Sequence, residues 1–404
     1  MTIALAQEVP AYGRYRILLG ADTFAPDVNG AARFAERLAA GLAERGHEVH
    51  VVCPSTDAVS REEQFRGVTV HRVASHRTPV HPSFRICLPW QARRAVSRVI
   101  DEIRPDVVHP QAHFLVGRAL VRAAGARRIP IVATNHFMPE NLLGYVPLPR
   151  AFAAKAVRWA WRDLGNIYGK ADVLTAPTPL AVKLLQDNGL GYRARAVSCG
   201  IDAGRYAGNG ATVPGTILFV GRLDAEKRVN EILEAAAKLV NVLPVRVEIV
   251  GDGSCRAELT ELARTLGIAD SVTFHGFVSE TELLAAYARA EVFCMPGVAE
   301  LQSLATMEAM AAGKPVVAAD AVALPHLVRE GQNGWLFPPG DVDTLAARLR
   351  MVLGGPGVST KFGAESTRLI AGHALTATLE RFEDIYAEVT GARVARPHLA
   401  RAAA

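Results

Sequence analysis

Residues 291 to 320 read EVFCMPGVAELQSLATMEAMAAGKPVVAAD, and the order of their local signals decides the fold. EVFCMP is a short apolar run that predicts a buried strand, and PVVAAD predicts another. Between them the pattern predicts a helix that begins near Ser303, a good N-cap, and ends before Gly313. Strand, helix and strand in so short a span predict a parallel sheet with helices on its faces.

The same alternation runs outward in both directions. Upstream, RYRILLG, HEVHVVCPS, PDVVHP, PIVATNH and ADVLTAPT predict strands separated by helical patterns such as AARFAERLAAGLAERG. The pattern then restarts with GTILFVGRL, VRVEIVGDG and SVTFHGFV, separated by VNEILEAAAKLVN, CRAELTELARTLG and SETELLAAYARA; Ser279 and Glu282 form a candidate capping box in the last of these. Residues 198 to 215, SCGIDAGRYAGNGATVPG, are rich in Gly and small residues and are expected to link the two halves. The chain therefore reads as α/β, with one doubly wound domain over residues 1 to 200 and a second over 201 to 375. A C-terminal helix at about 375 to 395 is expected to pack back onto the first domain, followed by a frayed Ala/Arg-rich tail. Two such domains are expected to face one another across a cleft at the carboxyl ends of their strands, where open α/β sheets bind ligands.

Composition narrows the function classes. Half of the 404 residues are hydrophobic and a fifth charged, as in a folded globular protein rather than a disordered one. No apolar run reaches the roughly 18 residues of a membrane-spanning helix, and the opening MTIALAQEVPAYG lacks the basic region of a signal peptide. Five scattered cysteines without a C-x-x-C pair point to a reduced compartment and to neither a disulfide framework nor a zinc site. The expectation is a cytoplasmic protein, peripheral to the inner face of the cell membrane if it meets a membrane. Charge is unevenly spread. Residues 1 to 200 carry 26 Lys and Arg against 16 Asp and Glu, a net +10, which leaves −5 for the remainder of a chain whose total is +5. The basic half is suited to an acidic surface or ligand, though a merely solvated basic face explains the count as well.

Three stretches carry candidate chemistry. In TFAPDVNGAARFAERL, Gly30 lies between a strand and a helix starting near Ala31, where backbone N–H groups favour an anion; a plain tight turn is the alternative. In FVGRLDAEKRV, a strand ends at Gly221, Arg222 offers a planar fork and Lys227 a mobile point charge, a pair suited to a diphosphate. The competing reading is a surface arginine paired with Asp224 or Glu226. In ELQSLATME, Glu300 and Glu308 bracket the helix start at Ser303, whose first N–H groups, at Leu304, Ala305 and Thr306, are expected to lack partners. The two acids are not on one helical face as an acid/base pair. They are suited to grip vicinal hydroxyls on either side of a phosphate, and otherwise are solvated acids.

Gly30 after the first strand, GRLDAEK, IVGDGSCRAEL, VTFHGFV, and above all E-x7-E followed by AMAAGKPVVA resemble the retaining GT-B glycosyltransferases of family 4 over nearly the whole chain. The resemblance implies two Rossmann-like domains and a nucleotide-diphosphate sugar, UDP-glucose or GDP-mannose, as donor. It implies that Arg222 and Lys227 hold the diphosphate, assisted by backbone at Gly30, Leu304 and Ala305. Glu308 would bind the ribose, Glu300 the donor sugar, and backbone near Phe277 and Val278 the base. His136, in ATNHFMPENL, matches the histidine facing the transferred sugar. Front-face transfer with retained configuration follows, with the departing phosphate taking the acceptor proton. No cofactor is implied, and no metal, since Arg222 and Lys227 can do a metal's work and no metal-ligand spacing is present. One departure stands out: the family's E-G-F-G-L is here Glu300-Leu301-Gln302-Ser303-Leu304, with Ser303 at the inner glycine.

HFMPENL is similar to the corresponding segment of diacylglycerol glucosyltransferases, which implies a membrane lipid acceptor. Residues 149 to 170, PRAFAAKAVRWAWRDLGNIYGK, interleave Arg150, Lys155, Arg158 and Arg162 with Phe152, Trp159 and Trp161, as suits an anionic membrane interface; HPSFRICLPWQARRAVSR is similar in character. Alternatives are a soluble acceptor (sugar, cyclitol or natural product), a GT-B sugar-nucleotide epimerase, or a non-catalytic sugar-nucleotide binding protein. Nucleic acid is disfavoured because the basic segments carry no reader motif. Oligomeric state is left open.

Overall fold

The computed structural model describes residues 13–27, 29–77, 85–140, 150–191, 194–207 and 210–391. The chain forms two units, Met1–Val197 with Thr378–Ala404, and Ser198–Ala377.

The first unit runs β1 (Arg16–Gly20), α1 (Gly30–Glu44), β2 (Glu48–Pro54), the hairpin β3 (Arg61–Phe65) and β4 (Val68–Val73), then β5 (His76–Arg77) and β6 (Arg85–Ile86). It continues through α2 (Pro89–Ile103), β7 (Val107–Pro110), α3 (Leu115–Arg127), β8 (Val132–Thr134), α4 (Arg150–Tyr168), β9 (Val173–Ala176), α5 (Pro179–Asp187) and β10 (Ala194–Ala196). One sheet has the order β3-β4-β2-β1-β7, a second has β10-β9-β8, and a parallel bridge from Val108 to Ile131 joins them. Apart from the β3–β4 pair, the neighbours in these two sheets are parallel. β1 is buried along nearly its whole length, as expected of a strand covered on both faces.

The second unit runs β11 (Thr216–Val220), α6 (Val229–Leu239), β12 (Arg246–Val250), α7 (Arg256–Thr265), β13 (Val272–Gly276), α8 (Glu280–Arg289), β14 (Val292–Met295), α9 (Leu304–Ala311), β15 (Val316–Ala319), β16 (Gly334–Phe337), α10 (Val342–Leu353) and α11 (Val358–Ile370). Its sheet is parallel throughout, with the order β13-β12-β11-β14-β15-β16. β14 and β15 are fully buried, and Phe219, Phe293, Met307 and Phe337 pack in one core. The order reverses between β11 and β14. That is the switch point of a doubly wound sheet, where the connections part to opposite sides and leave a crevice at the carboxyl ends.

The second unit begins at Ser198, the first residue of the small-residue stretch 198 to 215. Within the second unit Ile201 and Tyr206 are buried in the core, Tyr206 packs edge-on against Tyr287, and Ala203–Arg205 form a 3-10 turn. Two large apolar side chains outweigh the glycines around them, because their burial stabilises a defined path.

The last helix, α12 (Leu375–Thr390), joins the first unit from Thr378 onward. Its Glu383 is fully buried and accepts hydrogen bonds from Arg45 Nε and Nη2 at 2.9 and 2.8 Å and from His47 Nε2 at 2.9 Å. His47 Nδ1 accepts from the backbone N–H of Tyr15, at 3.1 Å, which places the imidazole proton on Nε2. The Ala/Arg-rich tail beyond Gly391 and the opening residues 1–12 lie outside the described residues.

Candidate functional site

Most of the sequence-predicted donor residues sit at the switch point of the second unit. Gly221, Arg222 and Lys227 follow β11, while Glu300 and Ser303 follow β14. The turn after β11 is fixed by the turn after β12. Gly221 N–H donates to the Val250 carbonyl, Leu223 N–H to the Asp252 carbonyl and Cys255 N–H to the Leu223 carbonyl, at 2.8 to 3.0 Å. This closeness needs glycine: a Cβ on Gly251, whose φ is +127°, would lie 1.9 Å from the Gly221 carbonyl oxygen, and one on Gly253 would lie 2.6 Å from Leu223 backbone.

Both cations of this region are engaged. Lys227 Nζ bonds Glu300 Oε1, with both side chains largely buried. Arg222 pairs with Asp224 through Nη1 and with Glu226 through Nη2, the latter at 3.0 Å. Asp224 also accepts from the Ser254 hydroxyl at 3.0 Å. The pairing foreseen as the competing reading of Arg222 is therefore present. Two cations against Asp224, Glu226 and Glu300 sum to −1, so these side chains do not form a bare cationic clamp. A diphosphate would have to share or replace their carboxylate partners. Lys227 can share, since its ammonium has three N–H donors and one is directed at Glu300.

The loop carrying Glu300 is tied down on several sides. Val298 N–H donates to the Glu226 carbonyl at 3.0 Å, and the Glu300 carbonyl accepts from Ala323 N–H at 3.1 Å. At Gly297 a Cβ would touch both Glu300 Oε1 and Lys227 Cδ at 3.5 Å. Ser303 is the N-cap of α9, and its hydroxyl accepts from Thr306 N–H at 3.3 Å and Thr306 Oγ1 at 2.9 Å. The expectation that Thr306 N–H lacks a partner is thus corrected: the cap that starts the helix also takes that donor. Leu304 and Ala305, partly exposed, hold the first two N–H groups of the helix. Glu308 is buried one turn further, where Tyr287 Oη donates to its Oε2 at 3.0 Å. It is not a solvated helix residue.

Phe277 and Val278 lie between β13 and the capping box that opens α8, at the same carboxyl edge of the sheet; Phe277 is two-thirds exposed.

Gly30 and His136 belong to the first unit. α1 begins at Gly30, one residue earlier than the pattern predicts, with Asn29 Oδ1 accepting from Ala32 N–H at 2.9 Å. A Cβ on Gly30 would meet nothing within 4 Å, so space is open above that helix start. His136 packs on Phe34 of α1, ring centroids 4.8 Å apart, and its Nε2 lies 3.2 Å from Gln111 Oε1. Burial pushes its imidazole down to about 4, so the ring is neutral at pH 7.

The aromatic and basic segment is sorted by α4. Phe152 and Trp159 are 58% and 66% exposed and share the outer face with Lys155, Arg158 and Arg162. Trp161 does not join them, a correction to the expected interleaving: it is buried and donates from Nε1 to Glu140 at 2.9 Å. Pro149 and the side chain of Arg150 lie outside the described residues, as do Asn141 and Leu142 of HFMPENL and residues 81–84 of the similar stretch. In that stretch Arg85 turns inward to Ser55 and Ser75, while Trp90 is exposed.

Sequence reading missed Tyr287, Ser254 and Gln302. Tyr287 sits in an apolar helical pattern that reads as core, and it is both core and the partner of Glu308. Among the described residues no helix is long and apolar enough to cross a membrane, and no three His, Cys, Asp or Glu side chains are grouped to hold a metal ion.

The family model described as glycosyl transferases group 1 matches residues 209–368, and that of glycosyltransferase family 4 matches residues 28–205. A GDP-mannose-dependent alpha-mannosyltransferase of Mycobacterium tuberculosis is 30% identical over 343 residues, 81% of this chain and 85% of that protein. An alpha-monoglucosyldiacylglycerol synthase of Streptococcus pneumoniae is 25% identical over 84% of this chain and 79% of its own length. Among solved structures, a sucrose-phosphate synthase from Thermosynechococcus elongatus superposes with a TM-score of 0.78 at 20% identity, covering 94% of this chain and all of that one.

Proposed function

This chain belongs to the group 1 glycosyltransferases of family 4 and is a transferase of GT-B fold, and from that premise we propose that it moves a hexose, with retention of configuration, from a nucleotide-diphosphate sugar to a lipid hydroxyl. The observation that carries the donor half is the meeting of Lys227, Glu300 and the Ser303-capped start of α9 at the carboxyl ends of β11 and β14. Lys227 and Arg222 offset the charge that grows on the leaving diphosphate. The partial positive charge of the α9 N-terminus adds to this without reorganisation during the reaction. Glu300, fixed by Lys227, presents its second oxygen to sugar hydroxyls, and Glu308, held by Tyr287, is placed one turn deeper to accept from a ribose. No cofactor or metal enters this scheme. The proposed donor is GDP-mannose or UDP-glucose; a GDP-mannose-dependent mannosyltransferase and a monoglucosyldiacylglycerol synthase among the relatives support transfer of mannose or glucose.

A panel of UDP-, GDP- and ADP-sugars, assayed with diacylglycerol and with soluble acceptors in the presence of EDTA, tests this reading. Transfer from one donor, insensitive to chelation and giving the donor's anomer in the product, is expected. Binding of nucleotide sugars without transfer to any acceptor would favour a binding protein instead.

The lipid acceptor rests on α4. Phe152 and Trp159 with Lys155, Arg158 and Arg162 form an outer face that matches an anionic bilayer in chemistry, apolar anchors among cations. Each basic residue near such a surface contributes about 1 kcal/mol. Flotation with vesicles containing anionic phospholipid is expected to carry the protein upward at low salt. The variant Phe152→Ala/Trp159→Ala is expected to bind at least about tenfold more weakly, given roughly 1.5 to 3 kcal/mol for each large apolar side chain fully removed from water. A protein that stays with the soluble fraction, with activity indifferent to lipid, would point to a soluble acceptor.

A further inference from the structure

The family's glycine-bounded loop is replaced here by Leu301-Gln302-Ser303, and the middle side chain makes contacts outside its own loop. Gln302 is 8% exposed. Its Oε1 accepts from Cys199 N–H at 2.7 Å, and its Nε2 donates to Ser198 Oγ at 3.1 Å. Because a backbone N–H can only donate, the orientation of the carboxamide is fixed, which is seldom so for a glutamine. Ser198 Oγ also lies within hydrogen-bond distance of His373 Nδ1, at 2.9 Å, the donor being set by the imidazole tautomer. Burial lowers the His373 pKa, in keeping with a neutral ring. The His373 carbonyl accepts from Ile201 N–H at 2.8 Å, and the Ile201 carbonyl from Leu375 N–H at 3.0 Å. The chain enters the second unit at Ser198 and leaves it after Ala377. Gln302 thus stands between Glu300 and the α9 cap on one side and both ends of the second unit's chain on the other.

We propose that Gln302 is a positioning residue that couples occupancy of the diphosphate site to the Ser198-Cys199 segment. The coupling follows from how the loop is held. Val298 and Glu300 are anchored through backbone and Ser303 by capping, and between them Gln302 supplies a directed side-chain tie. A diphosphate that draws Lys227, Glu300 and the α9 start into one arrangement restricts the loop. The same restriction reaches Cys199 N–H through a single carboxamide. Linkage makes the effect reciprocal: whatever holds Ser198-Cys199 in place tightens the site. The proposal rests on the reading of this site as one for nucleoside diphosphates.

The experiment combines backbone hydrogen exchange and calorimetry on the full chain, with UDP and GDP as probes. In the wild type, nucleotide is expected to slow exchange at Cys199, although Cys199 is not itself a predicted nucleotide contact. Gln302→Met keeps the length of the side chain and removes both hydrogen bonds. It is expected to speed Cys199 exchange without ligand, to abolish the nucleotide effect there, and to weaken nucleotide binding about tenfold, within the usual span of coupling between sites. Gln302→Glu retains an acceptor for Cys199 N–H and is expected to return Cys199 exchange to the slow rate of the wild type without ligand, which a purely packing role would not predict, while its charge keeps nucleotide binding weak. Nucleotide binding that leaves wild-type Cys199 exchange unchanged overturns the coupling alone, and this measurement needs no variant to fold. An affinity in Gln302→Met equal to wild type also overturns it. If neither nucleotide binds the wild type, the donor-site reading falls and the coupling with it.

Discussion

Lys227→Ala is expected to lower kcat/KM for sugar transfer by about 10²- to 10³-fold, the usual effect of removing one preorganised donor from a developing anion. The size follows from the charges that remain. With Lys227 present, Arg222 and Lys227 face Asp224, Glu226 and Glu300; without it the balance falls from −1 to −2, and Glu300 loses its partner. The diphosphate then meets less attraction and more repulsion. Both losses grow as the leaving group gains charge, so kcat falls as well as affinity. Steady-state transfer rates with the preferred donor, together with a thermal melt showing a folded variant, make the measurement. The double variant Lys227→Ala/Glu300→Gln separates the two effects. It is expected to regain nucleotide affinity relative to Lys227→Ala, because a neutral amide no longer repels phosphate, while the transfer rate stays low. Arg222→Ala is expected to lose rate by a similar order. Rates within a few-fold of wild type in both single variants would remove these residues from the site.

The parts of this molecule that sequence disclosed are those whose signal is local. The capping serines announced themselves by residue type and spacing: Ser279 with Glu282 closes a capping box, and Ser303 begins α9. The apolar runs from RILLG to VVAA predicted strands that the structure places in parallel sheets, because full burial on both faces demands unbroken apolar sequence. What sequence left open depends on atoms distant along the chain. Nothing near Glu308 names Tyr287 as its partner, and nothing in LQS indicates that Gln302 bonds residues more than a hundred positions earlier. Residues 198 to 215 show the same limit. Their composition is that of a linker, but Ile201 and Tyr206 are enough to bind the segment to the core, and only the three-dimensional neighbourhood of Tyr287 makes that plain. Arg222 marks the boundary between the two cases. Its carboxylate partners are two and four residues away and were readable as an alternative, yet which of them it takes is set by geometry, and it takes both.

Glu383→Ala is expected to destabilise the first unit by about 3–5 kcal/mol, the cost of removing one member of a buried ion pair and leaving the other groups uncompensated. Arg45 directs two N–H groups at this carboxylate and His47 a third, and the His47 ring cannot turn away without losing its bond to Tyr15 N–H. The alanine variant leaves these donors facing a void. Burial pushes the Glu383 carboxyl up, but the hydrogen bonds from His47 and Arg45, with the charge of Arg45, more than offset it and hold it below the ordinary range. The sign of the pH dependence follows. A carboxyl whose pKa is depressed on folding contributes stability that is complete above its unfolded pKa, about 4.3, and is lost as pH falls through the folded value. The gap between wild type and Glu383→Ala, measured by denaturant unfolding, is therefore expected to be widest near neutral pH and to narrow below about pH 4. Glu383→Gln is expected to fall between them, since its carbonyl oxygen still accepts while its NH₂ opposes the remaining donor. A gap that holds constant down to pH 3 would mean that the alanine variant suffers from lost packing on α12 and not from lost charge.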